Sequence, residues 1–435
     1  MGRTAHDFCE FSCAGRGKEK YYSGFNKKKS GRRWYQHDID TIIYSEMFRK
    51  MQRKSQLFSM SDPISRSRLI HTFEVTRIAK EISERLGLNN ELTEGIALAH
   101  DFGNVAFGKG ADDFLREHTN NYFKHEETSV LMLKVLASRP IPERFRADAN
   151  SEISKDPDIL HTIEITEYPH EIEVYQYPHS KRTKYYVCIS PELLDGVKKH
   201  GSDGRNIHTL EGQVVNYADN IAYLIQDVND FLVTGIFTSS EMDRYSQYLD
   251  DLTDRDTNKA FPITDIVGKT TSSRTAVLIE RFVSYNLKNL NDAKYETVFS
   301  PILNKDVPIL EIEPIVKAAI DKCWHFKEEF YEHELIKLSN MNSKEKIEQI
   351  WFLLDENSIF REKNETCRKF MDFLDSPIFK SYRAEAGITD DRDWLNWKKA
   401  CFIAHLTCDE INLIIESCFS RDYLIDFSMP FIPTQ

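Results

Sequence analysis

The chain has 435 residues, 41% of them hydrophobic, enough for a substantial core or for one large helical domain with appended lobes. Its formal net charge of −12 argues against a protein that coats nucleic acid with its whole surface, though not against a local basic patch. No apolar run reaches the roughly 18 residues of a membrane-spanning helix, and the opening MGRTAHDFCEFSCAG lacks the apolar core of a signal peptide.

Residues 16–33 are basic and aromatic: Arg16, Lys18, Lys20, Lys27, Lys28, Lys29, Arg32 and Arg33, with Tyr21, Tyr22 and Phe25 between them. Two readings stand open. The segment is a solvated arm, or it binds phosphate, either on single-stranded DNA or on a regulatory nucleotide. Helical periodicity begins near Asp38. His71, Val75, Ile78 and Ile82 form one stripe of an amphipathic helix, and Gly87 is placed to end it. Leu92, Ile96 and Ala99 mark a second helix, which runs into His100-Asp101 and breaks at Gly103. Residues 125–136 predict a third. Residues 161–189 alternate or are rich in β-formers, split by Pro169 and Pro178, and predict a small β insertion. A long helix is expected over about 209–233, stopping at Gly235. The remainder is mostly helical in pattern, with loops near 252–272 and 301–308. The chain thus divides into a basic arm (1–37), a core (38–235) and a helical C-terminal region (236–435). Of the eight cysteines only Cys9 and Cys13 lie close together, with no second pair at zinc spacing. Reduced thiols in a cytoplasmic protein are expected.

The chemistry-bearing pattern is His71, then His100-Asp101, then Asp219. A hydrolytic divalent cation needs a few nitrogen and oxygen donors plus open positions for water and substrate. Two imidazoles and two carboxylates supply such a set. His71 lies on the apolar stripe and so points inward. A lone inward histidine is usually a hydrogen-bonded core residue, but His100 and Asp101 meet it at a glycine-containing turn. Asp219, between Ala218, Ile221 and Ala222, is costly to bury without a partner. Tyr223 and Asp227 follow on roughly the same helix face. The order H…HD…D points to a metal phosphohydrolase without naming a substrate.

Longer stretches carry a resemblance. DTIIYSEMFRKMQRKSQLF, followed by SRSRLIHTFEVTRIAKEISERLGL, is similar to the opening of the deoxynucleoside-triphosphate triphosphohydrolases (dGTPase-like enzymes) of the HD superfamily. GIALAHDFGNVAFG resembles their ALAHDLGHPPFG. FKHEETSVLMLKVL, LLDGVKKHG and TLEGQVVNYADNIAYLIQDVND resemble further segments. The match covers roughly residues 38–235 and is loose beyond.

The resemblance implies a mainly α-helical HD fold and hydrolysis of a dNTP to deoxynucleoside and tripolyphosphate. It makes His71, His100, Asp101 and Asp219 ligands of Mg²⁺ or Mn²⁺, with Fe, Co or Zn also suited. Asp112 and His125 would hold or activate the attacking water, and Arg68 would grip phosphate. Gln56, with its neighbour Leu57, and Asp227 would lie near the sugar 3′-hydroxyl. Tyr223 would pack on the deoxyribose. A homo-oligomer is implied, with the C-terminal half in the contacts. Where the family has HDxGHxPFGH this chain reads HDFGNVAFGK, so Asn104 and Lys109 stand in place of histidines. Asn104 would line the substrate site. Lys109 would face the phosphates and act in catalysis, holding charge or donating a proton if its pKa is depressed. Two other functions stay open: an HD phosphohydrolase acting on another nucleotide, and a weakly active nucleotide sensor or nucleic-acid binder.

Overall fold

The computed structural model describes residues 34–57, 66–140, 174–176, 184–187, 189–201, 207, 209–233, 240, 252–253, 260–261, 271–292, 310–355 and 358–420. The basic segment 16–33 lies outside them, as do Cys9, Cys13 and Cys188. Cys367, Cys401, Cys408 and Cys418 are free thiols.

Helices dominate the described residues. The first half contains α1 (Trp34–Ile43), α2 (Glu46–Lys50), α3 (Arg68–Arg85), α4 (Asn90–Ala99), α5 (Lys109–His118), α6 (His125–Leu136), α7 (Pro191–Lys199) and α8 (Leu210–Val233). Local chemistry sets their ends. Ser67 caps α3 by accepting from Ile70 N, and Gly87, at φ +69°, turns the chain out of it. Asn89 caps α4 by accepting from both Glu91 N and Leu92 N at 3.0 Å.

The apolar stripe of α3 is buried throughout, at Val75, Ile78 and Ile82. It packs against α4 and α8, and α8 brings Val214, Ala218, Ile221 and Ala222 into the same core. With α1 and α7 also on α4, the short α4 is enclosed, which fits its buried run Ile96–Ala99.

Within residues 161–189 the described backbone is β2 (Val174–Gln176), β3 (Lys184–Val187) and residue 189. β3 pairs antiparallel with β2 on one side and with β1 (Ser138–Pro140) on the other. The rest of that expected insertion lies outside the described residues. A two-residue ladder joins β4 (Leu252–Thr253) to β5 (Ala260–Phe261).

The C-terminal half continues with α9 (Thr271–Asp292), α10 (Pro314–Tyr331), α11 (Glu334–Leu353), α12 (Ile359–Lys363), α13 (Glu365–Phe373), α14 (Pro377–Glu385), α15 (Asp391–His405) and α16 (Cys408–Ser420). Stacked Trp394 and Trp397, with centroids 4.8 Å apart, anchor its core. α11 packs on α5 and on α15 and α16, so the C-terminal helices brace the turn that precedes α5. Two buried lysines complete the junction. Lys50 Nζ bonds Glu410 Oε1 at 2.9 Å and the His405 carbonyl at 3.2 Å. Lys54 Nζ donates to the carbonyls of Asn104 (2.7 Å) and Ala404 (2.6 Å). Among the described residues no helix is long and apolar enough to cross a membrane.

Candidate metal centre

Three helices deliver the four expected ligands. His71 comes from the first turn of α3, and Asp219 from the middle of α8, which packs against it. His100 caps the C-terminus of α4, and Asp101 follows in the turn. His71 Nε2 lies 3.0 Å from Asp219 Oδ1 and 3.9 Å from Asp101 Oδ2. His100 Nε2 lies 3.5 Å from Asp101 Oδ1 and 3.7 Å from Asp219 Oδ1. His71, His100 and Asp101 offer donor atoms within 4.8 Å of one another, and all three residues are buried.

The tautomer of His100 is fixed by its position. Its Nδ1 sits 2.7 Å from the Ala97 carbonyl, which can only accept, so Nδ1 carries the proton. Nε2 is then a bare lone pair, buried and without a hydrogen-bond partner. It faces two carboxylates. A buried acceptor aimed at acceptors is costly unless a cation stands between them. That arrangement fits a divalent metal, and the nitrogen–oxygen donor set suits the metals of hydrolytic sites.

The electrostatics agree. Burial lowers the His71 pKa against the pull of its hydrogen bond to Asp219, which keeps the ring neutral and able to ligate. Burial would raise Asp219, but the His71 hydrogen bond and the nearby His100 outweigh it and bring it down to about 2. Burial likewise opposes ionisation of Asp101, but His100 and Arg68 hold it well below the usual carboxylate range.

The surroundings position Asp101 further. Arg68 Nη1 donates to Asp101 Oδ2 at 3.0 Å, while Asn104 Nδ2 donates to Asp101 Oδ1. Glycine lets α6 approach this turn: a Cβ on Gly103 would stand 2.2 Å from the His125 carbonyl. Ser129 closes the seam, donating to the His100 carbonyl at 3.0 Å and accepting from Gly103 N at 2.7 Å. The turn ends on Phe107, whose φ of +66° is strained for a bulky side chain, and Gly108 at +72°.

The other expected residues divide. His125, at the start of α6, lies beside the cluster: with Asp101 and His200 it forms a second group of donor atoms within 4.8 Å. Gln56 is buried, and both its amide atoms lack a hydrogen-bond partner. Leu57 is buried in the core. Asp112 Oδ2 lies 2.8 Å from Arg116 Nε one turn on, while its Oδ1 is buried without a partner. No described contact joins Asp112 to His125. Lys109 does not enter the cluster. It is exposed, and its ammonium lies 4.7 Å from the centroid of Tyr331, a seat that cation–π attraction favours. Tyr223 and Asp227 follow Asp219 along the α8 backbone, with side chains outside the described residues.

His200 was not among the expected residues. It caps α7 as His100 caps α4, and its Nδ1 lies 2.6 Å from the Val197 carbonyl, also three residues back. Its ring stands edge-on between His100 (5.1 Å) and His125 (5.3 Å). Burial, then the neighbouring histidines, push its pKa down to about 4, so it is neutral near pH 7. The available signal was the histidine directly after a helix-length segment, as at His100.

Residues 68–224 match the HD domain. The chain is similar to curated proteins named deoxyguanosinetriphosphate triphosphohydrolase-like protein. The one from Clostridium tetani is 25% identical over 333 residues, covering 74% of this chain and 78% of the relative. The one from Geobacter metallireducens is 26% identical over 363 residues, covering 79% and 82%. The one from Caldanaerobacter subterraneus is 32% identical over 197 residues, covering 45% of each chain.

Proposed function

We propose that the protein is a metal-dependent phosphohydrolase that converts a deoxynucleoside triphosphate, dGTP or several dNTPs, to deoxynucleoside and tripolyphosphate. The observation that carries the reading is the bare, buried Nε2 of His100 facing Asp101 and Asp219. A divalent cation, Mg²⁺ or Mn²⁺, held by His71, His100, Asp101 and Asp219 would supply Lewis acidity towards water and phosphate oxygen. In the reaction a water oxygen bonds to the α-phosphorus, the bond from phosphorus to the 5′-oxygen breaks, and that oxygen takes a proton.

The chain's own groups suit parts of this. His125 and Asp112 flank the water, with the partnerless Asp112 Oδ1 as acceptor. Arg68, half-buried and already oriented by Asp101, grips phosphate. The partnerless amide of Gln56 gains partners when it meets a sugar hydroxyl. Tyr223 and Asp227 complete the deoxyribose pocket, and packing of Tyr223 leaves little room for a 2′-hydroxyl. In the same reading the protein is a homo-oligomer, which the exposed apolar Leu335, Leu338 and Met341 of α11 support.

A second reading, an HD phosphohydrolase acting on another nucleotide, is favoured by one observation. Asn104 is engaged by Asp101 and Lys109 sits over Tyr331, so neither stands free to protonate a leaving 5′-oxygen. Incubation with Mn²⁺ or Mg²⁺ and each common NTP and dNTP separates the two. Tripolyphosphate from dNTPs supports the first, and orthophosphate or pyrophosphate supports the second.

A further inference from the structure

Arg66 ties together three parts of the chain that line the proposed site. Residues 54–56 and 66–68 face each other across an antiparallel bridge between Ser55 and Ser67. Gln56 N donates to the Arg66 carbonyl at 3.1 Å, and Arg68 N donates to the Lys54 carbonyl at 2.9 Å. The Arg66 side chain, buried, leaves the bridge for two carboxylates. Its Nε donates to Asp230 Oδ2 at 2.6 Å, and its Nη1 to Glu74 Oε2 at 2.5 Å. Asp230 lies about three turns along α8 from Asp219 and on nearly the same face, with Tyr223 and Asp227 between. Glu74 lies on α3, one turn after His71. Burial raises the pKa of both carboxyls against the pull of the guanidinium, as in an ion pair withdrawn from water.

We propose that Arg66 is a positioning residue for the sugar: its carbonyl holds the Gln56 segment, its guanidinium holds α8 at Asp230, and it thereby sets the gap in which deoxyribose is told from ribose. The inference rests on the proposed dNTP hydrolysis, in which Gln56 meets a sugar hydroxyl and Tyr223 packs on the ring. A guanidinium suits the task, because its fixed fork holds two carboxylates at a set separation. The two contacts differ in consequence. Arg66 directly precedes Ser67, the cap of α3, so the backbone already joins it to the helix that carries Glu74. α8 has no such covalent tie, and its hold on this segment runs through Asp230. Loss of the Asp230 contact lets α8 move away from the Gln56 segment, and the room for a 2′-hydroxyl grows.

The test is kcat/KM for matched dNTP and NTP pairs, with Mn²⁺, in the full chain and its variants Arg66→Gln, Asp230→Ala and Glu74→Ala, alongside manganese content and circular dichroism. Arg66→Gln and Asp230→Ala are each expected to lower the deoxy-to-ribo ratio at least about tenfold, with manganese content unchanged. The double variant is expected to match Arg66→Gln, because both changes cut one contact. Glu74→Ala is expected to leave the ratio unchanged. Where Arg66→Gln fails to fold, Asp230→Ala carries the test, since alanine suits a helix and Arg66 keeps Glu74. Loss of fold in both, a wild-type ratio in folded Asp230→Ala, or an equal fall in Glu74→Ala overturns the positioning role and leaves the proposed reaction standing. A wild type that prefers neither sugar overturns the sugar pocket and this role together. One that makes no tripolyphosphate from any dNTP overturns the proposed reaction as well.

Discussion

Lys54 Nζ donates to the backbone carbonyl of Asn104 at 2.7 Å, so a wholly buried lysine fixes the residue whose side chain orients Asp101. The same ammonium reaches the Ala404 carbonyl, tying the metal turn to the end of α15. Burial, with help from nearby Lys50 and Arg68, lowers the Lys54 pKa to about 7 from 10.5. Below about 7 both folded and unfolded chains carry the proton, and the burial penalty stands in full. Between that value and 10.5 the unfolded chain keeps a proton that folded Lys54 has released, so stability rises with pH. The rise is bounded at about 5 kcal/mol. Lys54→Met lacks this dependence and strands two carbonyls, each costing about 1–3 kcal/mol. Urea unfolding at pH 6.5 and pH 9 is expected to show the variant less stable at both, with a wider gap at pH 9. A gap independent of pH would contradict the assignment.

Asn104→Ala removes the donor that holds Asp101 Oδ1. Groups that orient a metal ligand typically contribute about 10–100-fold to metal affinity. Titration calorimetry with Mn²⁺ is expected to show a loss in that range with the fold intact. An unchanged affinity would mean that Arg68 alone orients the carboxylate.

Gln56→Leu is expected to separate stability from function. It replaces two partnerless buried polar atoms with a side chain of similar bulk, which should stabilise the fold by about 1–3 kcal/mol. The kcat/KM on a dNTP should fall, chiefly through a raised KM, because a sugar contact is lost. A variant that is both less stable and fully active would remove Gln56 from the site.

Lys109→Ala is expected to leave metal content unchanged and turnover within about threefold of wild type, the small effect usual for a surface group. The ammonium has its seat over Tyr331 rather than in the cluster. A loss of a hundredfold or more in kcat would restore it to the phosphate site.

Much of this was legible in the sequence because hydrophobic spacing is a local property. The stripe of His71, Val75, Ile78 and Ile82 became α3, residues 125–136 became α6, and the stretch near 209–233 became α8. The H…HD…D spacing marked residues that the fold brings together across 148 positions, as with His71 and Asp219. What was not legible depends on tertiary neighbours. Lys54 reads as one more surface charge in a basic run, and only α15, some 350 residues away, makes it a buried tie. His200 follows two lysines at a helix end, where a cation is expected for dipole reasons alone. Its place beside the cluster is visible only when α7 sets it between His100 and His125. Lys109 was expected to face the phosphates by its place in the motif, and the ring of Tyr331 at the end of α10, on which its ammonium sits, is a tertiary neighbour that the motif does not show.

Asp219→Ala tests the ligand set itself. Losing one ligand of a cluster costs far more affinity than a surface change. The variant is expected to lose bound Mn²⁺ and all hydrolysis while keeping its helical circular dichroism. Full occupancy in elemental analysis would refute the assignment.

Hydrolysis of dGTP in ¹⁸O-labelled water with Mn²⁺, with the products read by ³¹P NMR and mass spectrometry, tests whether water attacks the α-phosphorus of a dNTP. Attack at phosphorus gives deoxyguanosine without label and tripolyphosphate carrying one ¹⁸O. Release of orthophosphate or pyrophosphate, or label in the nucleoside, would contradict it.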